Sequence, residues 1–153
     1  MANIVFNIAK GRVVEYYNRV ENDDPSTSAL IVIPVETSGL ETDANLIDSD
    51  TVAEVFDGAT HEQTPMGRKT LTQADLAALP APDDANDRYD VSLPTTTWVA
   101  ATGNAISKIL VCYDSDTGAG TDSNIIPLTM FDFAVTPDGS DIQMTTGIFF
   151  RAS

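Results

Sequence analysis

The chain has 153 residues, a usual size for one domain, and 42% of them are hydrophobic, enough for a core without disulfides or metals. Its charge is lopsided: 8 Lys+Arg against 23 Asp+Glu, a net charge of -15. That balance argues against nucleic acid, whose binding relies on Lys and Arg neutralising phosphates, and against anionic membrane surfaces. The single cysteine, Cys112, excludes an internal disulfide, and its place in "KILVCY" reads as a small buried hydrophobe.

"MANIVFNIAKGR" is too short and polar before Lys10 for a signal peptide, and no apolar run nears the ~20 residues of a membrane helix. The expectation is a protein made in a cytoplasm. Val13, Tyr16, Tyr17 and Val20 recur at helical spacing, so a short amphipathic helix is expected from about Gly11 to Val20, within an N-terminal arm of about 1–21. The same Val and Tyr content also suits a strand. "NDDPSTS" (22–28) is a loop.

"ALIVIPVE" (29–36) reads as a buried strand, with Pro34 marking an edge or bulge at its end. "SGLETDANLIDSD" reads as a polar linker, and "DTVAEVFDG" (50–58) as one or two helical turns capped by Asp50 and stopped by Gly58. After the irregular "THEQTPMGRKT" (60–70), "LTQADLAALPAP" predicts a helix capped by Thr72, boxed by Asp75 and ended by Pro80.

"RYDVSL" alternates Tyr89, Val91 and Leu93 with polar residues, a strand pattern, and "TTWVAA" follows as another short strand. The last third gives three strand segments, 105–114, 124–136 and 141–150, the last two joined by the turn "TPDG". They read as an antiparallel meander over about 105–150. The expected fold is therefore one mainly-β domain spanning 1–153, an antiparallel β-sandwich or open barrel with two or three short helices.

The densest polar motif is "CYDSDTGAGTDSN". Counted from Asp114 as an EF-hand, position 5 is Gly118, position 6 is Ala119 and position 12 is Ile125, so the ligand pattern fails. A looser Ca²⁺ site from Asp114, Asp116 and Asp122 is a weak candidate. "GAG" leads into a strand and not a helix, so the phosphate-cradle reading also fails. The simplest account is a hairpin tip whose glycines supply positive φ and whose aspartates bond their own backbone. Asp83, Asp84, Asp87 and Asp90 beside Arg88 read as loop solvation with a local ion pair. His61 is the only histidine, and there is no G-x-S-x-G elbow for it to serve. No catalytic residue, metal site or cofactor is expected.

Arg68 and Lys69 in "MGRKT" form the one basic knot, a candidate for pairing with another acidic copy or a partner. Trp98 is either core or an interface anchor.

Several stretches resemble small virion-associated proteins of tailed bacteriophages and prophages. They include "MANIVFNIAKGRVVEYYNRV", "MGRKTLTQADLAALPAPDDANDRYDVSLP", "WVAATGNAISKILVCYDSDTGAG", "NIIPLTMFDFAVTPDGSDI" and "FFRAS". The resemblance covers most of the chain and carries no active-site motif. It implies a non-enzymatic virion protein, best read as a capsid decoration (cement) protein on the capsid surface. That role implies binding to the major capsid protein and self-association, with a trimer favoured. A tail-tube, head–tail joining or fibre-base protein is the alternative, and a small Ca²⁺- or sugar-binding module is a more distant one. On this reading the interface candidates are Ile4 and Phe6 in "NIVF", Arg68, Lys69, Trp98, and Phe149, Phe150 and Arg151 in "GIFFR". For Phe149 and Phe150, closing the core is the competing role.

Overall fold

The two most apolar runs of the sequence become neighbouring strands at the centre of one sheet. This is seen in a computed structural model, which describes residues 4–153. The strands are β1 (Ile4–Val5), β2 (Ala29–Glu36), β3 (Lys69–Leu71), β4 (Tyr89–Leu93), β5 (Thr96–Trp98), β6 (Ile106–Asp114), β7 (Ile126–Val135), β8 (Ile142–Met144) and β9 (Gly147–Ala152). The helices are α1 (Val13–Glu21), α2 (Asp43–Leu46) and α3 (Val52–Val55), with a 3₁₀ turn at Asn7–Ala9. Five strands form an antiparallel sheet in the order β1-β7-β6-β2-β3, and two ribbons, β4-β9 and β5-β8, stand apart from it. The architecture is mainly β and open, not a closed barrel.

The apolar runs are continuous because the sheet is covered on both faces. Along β6, Ile109, Val111 and Tyr113 join one apolar cluster while Leu110 and Cys112 join the other. Along β2, Leu30 and Val32 alternate in the same way with Ile31, Ile33 and Val35. Helix α1 and the two ribbons cover the first face. Tyr16 of α1 stacks on Tyr113 of β6 with ring centroids 4.6 Å apart, a favourable aromatic geometry. Phe6, Leu46 of α2 and Val52 and Val55 of α3 cover the second face.

The segment at 11–20 is helical, and its four apolar residues Val13, Tyr16, Tyr17 and Val20 are the buried ones. Pro34 lies inside β2, opposite Ile109. Its carbonyl accepts from Gln63 N on the side where the β3 ladder has ended, so its missing N–H removes no ladder bond. A register shift follows between Val35 and Glu36.

Four expectations are corrected. The stretch 72–79 is not a helix. The Thr72–Asp75 contacts form, with Asp75 Oδ2 accepting from Thr72 N at 2.8 Å, but only one turn follows. Pro80 and Pro82 come too soon, and the backbone is used in tertiary bonds instead: Tyr17 Oη donates to Ala77 O at 2.8 Å and Leu79 N donates to Glu21 Oε2 at 3.3 Å. The supposed linker at 38–50 contains α2, fixed by the buried side chain of Leu46. Helix α3 is capped by Thr51 rather than Asp50; Thr51 Oγ1 accepts from Glu54 N while Glu54 Oε2 accepts from Asp50 N.

Finally, 141–150 is not the third strand of a meander. It breaks at 145–146, and its halves pair with β5 and β4. "TPDG" does not fold β8 back onto β7. Gly139 N instead donates to Ala101 O at 2.8 Å and Ala101 N donates to Ser140 O, which carries the chain across to β5. Ile142, Met144 and Trp98 then close the first cluster.

Candidate functional site

The acidic loop after β6 is a hairpin tip between β6 and β7, and its aspartates are turned on their own backbone. Asp114 Oδ1 accepts from Asp116 N at 3.0 Å, and Asp116 Oδ1 accepts from Gly118 N at 3.1 Å. The glycines play a different part from the one expected. Neither Gly118 nor Gly120 has a positive φ. Gly120 is needed for closeness, because a Cβ there would stand 2.7 Å from Asp114 Oδ2 and 2.8 Å from Asp116 O.

Asp122 does not join Asp114 and Asp116. Arg68 takes it in a two-pronged pair, Nη1 to Oδ1 at 2.6 Å and Nη2 to Oδ2 at 2.9 Å. The same guanidinium grips Glu62, Nε to Oε1 at 2.9 Å and Nη2 to Oε2 at 2.6 Å. Hydrogen bonding to Asp122 and then Glu62 holds the Arg68 pKa above its ordinary value, and the Arg68 bond lowers that of Asp122. Among the described residues, no group of three or more His, Cys, Asp or Glu side chains is placed to hold a metal ion.

Arg68, one half of the basic knot, is thus an internal fastener. Arg68 ties 60–70 to the hairpin tip, and Lys69 Nζ sits 5.9 Å from the Trp98 ring centroid. Trp98 is core: it is 1% exposed, and its Nε1 donates to Gly67 O at 2.9 Å. Ile4, Phe6 and Phe149 are likewise packed into this chain's own apolar clusters. Apolar residues close to the sheet are drawn into its faces before they can serve a partner.

Cys112, the Asp83–Arg88 pair and Gln63 are also committed. Cys112 is fully buried, and burial pushes its thiol well above its ordinary pKa. Arg88 pairs with Asp83 at 3.1 Å as expected; Asn86 and Arg88 together hold the Asp83 carboxyl low. His61 is exposed, with its backbone carbonyl accepting from Glu36 N. Gln63, which the sequence reading passed over, is fully buried: Nε2 donates to Thr102 O and Asn104 O, and Oε1 accepts from Met66 N. Its unbroken set of partners marks it as structural.

Phe150 is half-buried against the first cluster, opposite Val91, and Arg151 is exposed. Arg151 reaches Asp90 through Nε at 2.6 Å and Nη2 at 2.9 Å. They line an open groove of about 380 Å³ together with Ile4, Val5, Ile148 and Phe149. Ile148 is the residue sequence reasoning missed there, and it is 48% exposed. The strand pattern hid it: the register shift between Val91 and Ser92 turns it outward, which the sequence does not announce.

No helix among the described residues is long and apolar enough to cross a membrane. Comparison with protein families, with curated proteins and with solved structures finds no match to this chain.

Proposed function

We propose that this chain is a non-enzymatic structural protein of a bacteriophage particle, a decoration protein that binds the major capsid protein lattice on the outside of the head. The sequence likeness supplies the particle. The structural observation that supports the role is the way charge is distributed. Arg12 and Arg19 pair with Glu15, Arg68 with Glu62 and Asp122, Arg88 with Asp83, Lys108 with Asp43 and Asp132, and Arg151 with Asp90. Six of the eight cations are thus held in ion pairs of the chain's own fold, and the surplus of acids is what the surface offers.

Such a surface keeps free copies apart and away from the genome, and it is complementary to a basic lattice. Each contact with the lattice needs about 1,000 Å² or more to be specific, and repetition around a shell adds avidity. The test is add-back. Particles made without the chain are mixed with purified protein and sedimented. Saturable co-sedimentation, with a rise in the temperature at which the heads burst, is the expected result. Protein that stays in the supernatant at every concentration refutes the proposal.

A further inference from the structure

The groove beside Ile148 is walled by two strands from separate sheets. Among the described residues β1 has a ladder partner only in β7, and β9 only in β4. Among the described residues, both therefore carry a strand edge outside any ladder, the feature that extended segments use when they add to a sheet. The described side chains lining the groove include the apolar Val5, Ile148 and Phe150, and the one cation among them, Arg151, is already paired with Asp90. An acidic or phosphate-bearing ligand would find no spare positive charge among these described residues. A second copy of the chain would bring another net charge of -15 to the contact.

We infer that the groove receives an extended apolar segment bordered by lysine or arginine from the partner protein. Backbone bonding to the strand edges would give it affinity, Val5, Ile148 and Phe150 would hold its apolar side chains, and the chain's net charge of -15 would favour its basic flanks. This deepens the decoration reading and rests on it only for the source of the segment, a protein of the head shell.

The experiment uses the particles lacking this chain. Three proteins are added back: wild type, Ile148→Asp, and a form with a photoreactive benzoylphenylalanine at position 148. Ile148→Ser serves as a milder second variant, and thermal melts establish that the variants fold. The expected results are wild-type binding that weakens as salt is raised, a loss of about tenfold or more in affinity for Ile148→Asp, and a crosslink from position 148 to an apolar shell-protein peptide flanked by Lys or Arg. If wild type binds and both folded variants bind equally, or if the crosslink joins two copies of this chain, the groove assignment is wrong and the decoration role stands. If wild type itself does not bind, both are wrong.

Discussion

Lys108 lies wholly inside the protein, and its Nζ donates to Asp43 Oδ1 at 2.9 Å. The lysine stands on β6 and the aspartate opens α2, so one bond fixes a helix over the second face of the sheet. Asp132, opposite Lys108 in the β7 register, approaches at 3.4 Å. A buried ammonium is tolerable only with such company, and removing a partner exposes the desolvation cost. Asp43→Ala should therefore destabilise by about 2–4 kcal/mol. Lys108→Met should cost far less, because it takes the charge away with its need for partners. Urea melts of the two variants measure the difference; equal losses would mean that the pair is not acting as a buried charge.

The Arg68 clamp makes stability depend on pH. Asp122 has a lowered pKa in the folded protein. Its contribution is present above the ordinary carboxylate pKa of about 4 and is lost as pH falls through the lower folded value. Asp122→Asn should lower the melting temperature at pH 7, and the gap to wild type should close as pH falls below about 4. Asp122 is partly exposed, so the effect is modest, about 1 kcal/mol. A gap that is constant across pH would contradict the ion-pair account.

Gly103 should resist substitution. Its φ is +113°, and a Cβ there would stand 2.2 Å from the Nε2 of buried Gln63. Gly103→Ala combines a disfavoured backbone region with a clash against a fully bonded amide, and should cost about 2 kcal/mol or more. Gly67→Ala provides the control: its φ is +74° but nothing stands within 4 Å of the added Cβ, so it should cost less. Thermal melts rank the two.

Trp98 and Cys112 sit in the apolar clusters on opposite faces of the sheet. If the sheet unfolds as one cooperative unit, tryptophan emission and thiol accessibility to a disulfide reagent will change together along a denaturant series. The folded thiol should be inert, since burial suppresses its thiolate. Separate midpoints would show that the two faces unfold independently.

What could be seen beforehand was set by periodicity. β2 and β6 were legible because their apolar runs bury both faces, and α1 because Val13, Tyr16, Tyr17 and Val20 repeat at helical spacing. Partner choice was not legible. Nothing local tells Ile142 to pair with Trp98, or Phe150 with Val91, instead of folding back on β7. The same non-local choice buried Trp98 and Phe149 and left Ile148 outside. The helix expected at 72–79 failed where Tyr17 and Glu21 claimed its backbone, a competition decided in three dimensions. Arg68 looked available because its partners, Glu62 and Asp122, are far apart in sequence from each other and converge only through the fold.

The central claim is that this chain belongs to the outside of a phage head in high copy. The most direct measurement is its abundance on density-banded particles, quantified by mass spectrometry against the major shell protein. A decoration protein should appear in numbers comparable to the shell subunit. Its presence only as a trace component would place it in a tail or joining structure, and its absence from the particles would contradict the account outright.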